Sequence, residues 1–137
     1  MEEPLNLVLF SGTDDKLQAA AVLTAGAAAL GKPVNVFLQY WALDAFRRER
    51  IDRDHGLAPE AGAEGRTHVD ALREAGQVSW AETFRQAKSL GSVDIEACSL
   101  SMDLLGIDEA SLDPLVDGVE GVTAFYLNAG SGQVVFI

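Results

Sequence analysis

The sequence predicts a single α/β domain, a three-layer sandwich built on a mostly parallel sheet of about five strands. Two observations lead to this class. Short apolar runs alternate with helix-like segments along the chain, which is the pattern of a parallel sheet with crossover helices. The length of 137 residues is that of one domain and suffices to bury about two-thirds of the unfolded surface. We therefore expect residues 1–137 to fold as one unit.

The first part of the chain predicts a strand, a helix and a second strand. Residues 5–10 (LNLVLF) form a short apolar run typical of a buried strand. The following SGTDD loop offers Thr13 or Asp14 as the N-cap of an alanine-rich helix that extends to about Leu30. Residues 34–38 (VNVFL) predict the second strand, and QYWALDAF a short helix after it. Together these segments predict the first βαβ unit of the sheet.

Residues 47–78 have a different composition, because they are charged and rich in Gly and Ala. They predict a polar surface excursion that carries one short helix between Thr67 and Gly76. The two histidines of the chain, His55 and His68, both fall in this excursion. We interpret them as solvated surface side chains.

The second half predicts three more strands. Ser79 and Glu82 have the spacing of a capping box, and they open a helix that ends at Gly91. SLSMDLLG, after the third strand, predicts a helical turn. The remaining strands are predicted at residues 93–97, 115–119 and 133–137, and a further helix at 121–130.

The charge balance excludes some classes of partner. Acidic residues outnumber basic ones by 21 to 10, which gives a formal net charge of −11. Nucleic acids and anionic membranes attract basic surfaces, so neither is an expected partner. The longest apolar-leaning run, LQAAAVLTAGAAALG, is too short to span a bilayer. The acidic N-terminus MEEPLN lacks the basic region of a signal peptide, so we expect a cytoplasmic location.

The topology predicts a site where three loops meet. Ligands of parallel sheets bind outside the carboxyl ends of the strands. The SGTDD, QYW and CSLSM loops each follow a predicted strand at that end. Cys98, the only cysteine, lies there before a helical turn, whose free N–H groups would favour a thiolate. Ser99 and Ser101 add hydrogen-bond donors, but free cysteines are often only buried packing residues. Position alone leaves both interpretations open.

The rest of the sequence limits what this thiol could do. Classical disulfide exchange prefers a second cysteine, a cysteine–histidine hydrolase needs a nearby histidine, and a four-ligand metal site needs more ligands. SGTDDK lacks the spacing of a phosphate-binding loop, which argues against nucleotide binding. We expect neither a metal nor a cofactor. What remains is one-thiol chemistry: a persulfide, a mixed disulfide, or a sulfenic acid resolved by another molecule.

Several segments resemble the DsrE/DsrF-like sulfur-relay family. The matching features are S-G-x-x-D-K after the first strand, the alanine-rich helix, and the Tyr40–Trp41 pair after the second strand. ACSLSMDLLGI resembles the cysteine segment of the family, and DGVEGVTAFYLNAG with VVFI resembles its C-terminal half. The resemblance covers most of the chain, and residues 47–78 match least. Some relatives carry further cysteines, whereas this chain has one.

The resemblance implies a small, commonly oligomeric α/β domain whose cysteine holds sulfane sulfur. Cys98 would bear the sulfur, as a persulfide or a thiosulfonate, in a cytoplasmic carrier with sulfur donor and acceptor proteins as its partners. The possible pocket around it comprises Ser11, Gly12, Asp15, Lys16, Tyr40, Trp41, Ser99, Ser101 and Met102. Two other functions stay open: a non-catalytic, flavodoxin-like binding or assembly module with a buried, inert cysteine, and a one-cysteine thiol peroxidase.

Overall fold

Residues 3–137, which the computed structural model describes, contain one five-stranded sheet and six α-helices. The strand order is β4-β3-β2-β1-β5, and every pairing is parallel, which confirms the predicted fold class. The strands are β1 (Leu5–Leu9), β2 (Val34–Leu38), β3 (Val93–Cys98), β4 (Gly118–Glu120) and β5 (Val134–Phe136). The helices are α1 (Asp14–Ala29), α2 (Tyr40–Ala45), α3 (Gly62–Glu74), α4 (Trp80–Leu90), α5 (Ser99–Leu105) and α6 (Val122–Ala129). Short 3-10 turns lie at Pro59–Ala61 and Glu109–Ser111.

The two faces of the sheet are covered unequally. Side chains alternate between the faces of a strand, so Leu7 and Leu9 point to one face and Val8 to the other. The first face carries the main core, together with α1 and α4, which pack closely against each other. On the second face a smaller cluster joins Val8 and Phe37 to Phe125 of α6. Within the described chain, no helix is long and apolar enough to cross a membrane.

Helix ends agree well with the sequence-based expectations. Thr13 is the N-cap of α1, and Gly31 after its end has a φ of +77°, which favours glycine. The Ser79 hydroxyl accepts a hydrogen bond from the Glu82 backbone N–H at 3.2 Å, as the capping box predicts.

Two predicted boundaries were wrong. The fourth strand begins at Gly118, whereas residues 115–119 were expected, because Leu115 is buried in the core and Asp117 binds the Ile95 N–H through its side chain. Helix α3 begins at Gly62, before the expected Thr67. The 3-10 turn at Pro59–Ala61 leads directly into it.

The polar excursion is tied to the body of the domain and is not a purely surface segment. Ile51 and Ala58 within it are buried. Its main anchor is the carboxylate of Asp14, which is buried at the start of α1. Asp14 accepts hydrogen bonds from Trp80 Nε1 at 2.9 Å, from Arg73 Nη2 at 2.8 Å and from the His55 backbone N–H at 3.0 Å. One buried carboxylate therefore connects α1 to α3, to α4 and to the loop before α3.

Replacing Asp14 should destabilise the domain strongly. Asp14→Ala leaves the buried Trp80 Nε1 and the His55 N–H without an acceptor, and we expect a loss of about 2–4 kcal/mol in the free energy of unfolding. Urea denaturation followed by far-UV circular dichroism measures this loss.

The matched control is Asp70→Ala, which removes an exposed ion pair with Arg66 within α3. Such pairs contribute little, so we expect a change below about 0.5 kcal/mol. Equal losses for the two variants would contradict the role of Asp14 as the anchor.

Candidate functional site

Cys98 lies where the sequence predicts it, at the carboxyl end of β3 and directly before α5. It is the N-cap residue of that helix, with extended backbone angles of φ −73° and ψ 117°. Its side chain makes no capping hydrogen bond to the helix, which is only seven residues long. The expected contact between the thiol and free helix N–H groups is therefore absent from the described part of the chain.

The thiol is enclosed by apolar side chains on the α6 face of the sheet. Cys98 is 5% exposed and clusters with Val8, Phe37 and Phe125. The rings of Phe37 and Phe125 stack with their centroids 4.9 Å apart. Phe125 comes from α6, so this helix contributes to the enclosure of the thiol. With 5% of its surface exposed, Cys98 offers little access to a reactant in the described conformation.

The three predicted loops meet at the carboxyl edge. The Tyr40 backbone N–H donates to the buried Ser101 hydroxyl at 3.1 Å, which joins the loop after β2 to α5. Tyr40 has a φ of +43°, which is rare for a non-glycine residue. The loop after β1 packs against the next one at Gly12, because a Cβ there would lie 2.4 Å from the Trp41 carbonyl oxygen. This close approach explains a glycine at that position.

The remaining predicted pocket residues divide between the two sides of the sheet. Ser99 is half-buried beside Gly121 at the start of α6, whereas Met102 is part of the main core. Asp15 and Lys16 belong to α1, which covers the face opposite to Cys98. Lys16 is exposed.

Asp15 holds the excursion in place. Burial acts to raise the pKa of Asp15, but hydrogen bonds from the Thr13 hydroxyl and from the N–H groups of Ala58 and Lys16 outweigh it and lower that pKa below its ordinary value. The observed role of this carboxylate is thus to fix the backbone around Ala58.

The structure also joins residues that sequence reasoning did not connect. Ser11, Gly12 and Trp41 line a small cavity of about 290 Å³ together with Asp44, Arg50 and His55. The interpretation of His55 as a solvated surface residue was wrong, because the residue is half-buried. Its Nε2 atom is enclosed and has no hydrogen-bond partner among the described residues. No local sequence signal indicates this, since the loop is placed by the distant Asp14.

An acidic cluster shares the α6 face with Cys98. Asp94 and Glu96 precede Cys98 at steps of two along β3, so the three side chains point to the same face. Carboxylate oxygens of Asp94, Glu96 and Asp117 lie within 4.8 Å of one another, a spacing that could hold a hard cation. Asp117, however, already accepts from Lys88 and from the Ile95 N–H. Gly118, opposite Glu96, leaves room for its carboxylate.

Burial and mutual repulsion raise the pKa values of carboxyl groups in and beside this cluster. Burial and the neighbouring charges of Asp94, Glu120 and Asp117 raise the pKa of Glu96 to about 7. Burial, and then the charge of Asp94, also raise the pKa of Glu120, which pairs with Cys98 across β3 and β4. Glu96 therefore changes its charge near neutral pH on the same face as the thiol.

The fold and site define a small α/β protein with one thiol at the end of an inner strand of a parallel sheet. Residues 1–67 match the sequence model of the DsrE/DsrF/DrsH-like family. This match lies in the first half of the chain and agrees with the resemblance found in the sequence. Across 93% of the chain and 92% of the relative, it is 28% identical over 149 residues to the uncharacterized protein YrkE of Bacillus subtilis (strain 168).

Solved structures share the whole fold. The crystal structure of the YchN protein from E. coli superposes with a TM-score of 0.62 at 14% identity, covering 99% of this chain and 100% of that one. MTH1491 from Methanobacterium thermoautotrophicum, a protein of unknown function, superposes with a TM-score of 0.51 at 16% identity and the same coverage. At these identities the likeness concerns the fold alone.

The raised pKa of Glu96 makes stability depend on pH. The pKa of Glu96 is ordinarily 4.5 and is about 7 in the folded protein, so between these values the folded state holds a proton that the unfolded state releases. Stability should fall as pH rises from about 4.5 to about 7. We expect Glu96→Gln to lessen this fall and to be more stable than the parent at pH above 7, by on the order of 1 kcal/mol after allowance for solvent screening.

Urea denaturation at a series of pH values tests this expectation. Glu109→Gln, which removes an exposed glutamate outside the cluster, is the control and should follow the parent at every pH. Identical pH profiles for Glu96→Gln and the parent would show that the cluster does not govern this dependence.

Proposed function

We propose that this protein is a sulfur carrier that holds sulfane sulfur on Cys98 and passes it to an acceptor protein. One observation carries the proposal: the only cysteine stands at the carboxyl end of an inner strand, where three loops meet, in a chain whose residues 1–67 match the DsrE/DsrF/DrsH-like family model. Residues at this end of a parallel sheet are positioned for ligands. A cytoplasmic location goes with the proposal, because an unpaired thiol stays reduced there.

The chemistry needs one thiol and no added oxidant. The Cys98 thiolate attacks the outer sulfur of a donor persulfide, R–S–SH. The S–S bond of the donor breaks, and the donor leaves as the thiolate R–S⁻ while Cys98 becomes a persulfide. An acceptor thiolate then attacks the outer sulfur, takes it, and releases the Cys98 thiolate. Each step is an exchange at sulfur, so oxidation states balance.

The surroundings of the thiol suit a protected adduct. Val8, Phe37 and Phe125 exclude water from the sulfur, which limits hydrolysis and further oxidation of a persulfide. The proposal places the opening at α6, because this helix buries only Phe125 and Ala129. Displacing so few buried side chains costs less than moving a helix of the main core. The carrier therefore opens by a local movement of α6.

Mass spectrometry tests the proposal directly. After incubation with polysulfide, we expect the intact protein to gain sulfur at Cys98, and the gain to disappear with a reductant. Cys98→Ser should gain none. No adduct on the parent protein, or an equal gain by Cys98→Ser, would overturn the proposal.

A second pair of variants tests the role of α6 as the cover. Phe125→Ala removes the ring that helps to enclose the thiol. If opening must break Phe125 contacts worth about 1.4 kcal/mol or more, their removal should raise the rate of adduct formation about tenfold or more. Leu90→Ala removes an exposed apolar side chain at the end of α4, on the opposite face of the sheet, and should leave the rate unchanged. Both rates come from a mass-spectrometric time course.

A second candidate function is a non-catalytic binding or assembly module. The observation that favours it is the burial of Cys98, which is 5% exposed. A thiol-reagent titration distinguishes the two functions. A carrier reacts in the native state, whereas an inert packing cysteine reacts only in denaturant.

Self-association is a further part of the proposal. Apolar side chains are exposed together on α6 and β5, and Phe136 of β5 pairs with Val8 on the face that α6 covers. The exposed members are Val122, Tyr126, Leu127, Val134 and Phe136. Contiguous exposed apolar surface is typical of an interface, and we infer that a second copy covers it.

Light scattering after size-exclusion chromatography tests this inference. Leu127→Glu places a charge within the patch and should shift the protein to a monomer. Leu30→Glu is the matched control, because Leu30 at the end of α1 is 83% exposed and Leu127 is 78% exposed. A parent protein that is monomeric at high concentration would contradict the inference.

A further inference from the structure

Helix α3 does not pack on the core. None of the side chains of Gly62–Glu74 is buried, although the helix has 13 residues. Its links to the body include ion pairs from Arg73 to Asp14 at 2.8 Å and from Arg66 to Asp54 at 3.1 Å. Isolated helices of this length are marginal in water, and exposed ion pairs add little. The inward face of α3 therefore lacks the apolar partner that usually stabilises a helix.

A cavity lies where that partner would be. It has a volume of about 480 Å³, which is within the range of small-molecule sites. Its walls come from the start of α1, the loop before α3, the inward face of α3 and the start of α4. The apolar part of the wall consists of Ile51, Leu57, Val69, Leu72, Val78 and Trp80.

The position of the cavity is also that of a ligand site. Asp14 and Asp15 begin α1 shortly after β1 ends, so the cavity opens outside the carboxyl end of the sheet. It lies on the α1 and α4 side, whereas Cys98 points to the opposite face. The cavity is thus distinct from the thiol site, and a ligand in it would not block α6.

The charge of the wall limits the class of ligand. Four aspartates and two arginines line the cavity, namely Asp14, Asp15, Asp52, Asp54, Arg53 and Arg73. Asp14, Asp15 and Asp54 are already engaged by hydrogen bonds within the protein. Asp52 is exposed, and its ion-pair contact, with Arg85, is long at 4.0 Å. The wall therefore has more acidic than basic side chains, and the carboxylate of Asp52 is available to a ligand.

We propose that the cavity beneath α3 binds a compact hydrophobic molecule that carries one positive charge, a protonated amine on an apolar body. The apolar body packs between Leu72 of α3 and Trp80 of α4. The ammonium group lies at Asp52. Bound ligand supplies the apolar contacts that α3 lacks, so the helix becomes more ordered when the site is filled.

Titration of the full chain with 4-phenylbutylammonium, followed by two-dimensional amide NMR, tests the proposal. We expect saturable shifts in residues 51–57, 69–73 and 77–80, and slower amide hydrogen exchange in α3. The matched anion 5-phenylpentanoate has the same ring and the same four methylene groups, and it should bind about tenfold more weakly, since attraction at Asp52 is replaced by repulsion.

Three variants locate the site. Leu72→Trp fills the cavity and should abolish the shifts, and its effect on folding is small because Leu72 is partly exposed. Asp52→Asn should weaken binding of the ammonium probe about fivefold. Asp103→Asn, which removes an exposed charge on α5, should leave the affinity unchanged. Equal binding of cation and anion, shifts outside these segments, or no saturable shift at millimolar probe would overturn the proposal.

Discussion

A parallel sheet must be covered on both faces, because its strands are apolar on both. In this domain the two covers differ greatly. One face lies under the close pair of α1 and α4, and the other lies chiefly under the eight residues of α6. Phe125 of that thin cover belongs to the small apolar cluster that encloses the only thiol. The burial of Cys98, the half-exposed carboxylates beside it and the exposed apolar patch all follow from this one asymmetry.

The thicker side depends on Asp14. A carboxylate that is taken out of water needs several hydrogen-bond donors, and Asp14 obtains them from three separate segments. This arrangement fixes a long polar excursion without giving it an apolar core of its own. The excursion can therefore enclose a void, because its position is set at its edge by hydrogen bonds and ion pairs. A segment held by apolar packing would have closed that space.

Much of the fold follows from local sequence patterns. Local sequence signals correctly predict three strands and one helix end, namely the strands in LNLVLF, VNVFL and VDIEA and the end of α1 before Gly31. Helix α3 starts before the expected Thr67 because Pro59, a common first residue of helical turns, opens the 3-10 turn that leads into the helix. The three-residue β4 carries too little periodicity for its position to be predicted.

The site was only partly accessible from sequence. The end position of Cys98 and the meeting of the three loops follow from strand alternation. Its clustering with Phe125 does not, because the position of Phe125 depends on the face of the sheet that α6 covers between β4 and β5. The acidic cluster requires the register of β3 against β4, and the enclosure of His55 requires a hydrogen bond to a residue 41 positions away. These are tertiary constraints, and local spacing does not encode them.

The pairing of β1 has a consequence for synthesis on the ribosome. One edge of β1 joins β2, which follows closely, but its other edge joins residues 134–136. At ordinary elongation rates, the ribosome needs roughly ten seconds to proceed from β1 to β5, and the second edge of β1 stays unpaired during this interval. During that time an apolar strand offers free backbone groups to any neighbouring nascent chain. The nascent chain is therefore most exposed to intermolecular strand pairing before β5 emerges, so chaperone demand should be greatest at that stage.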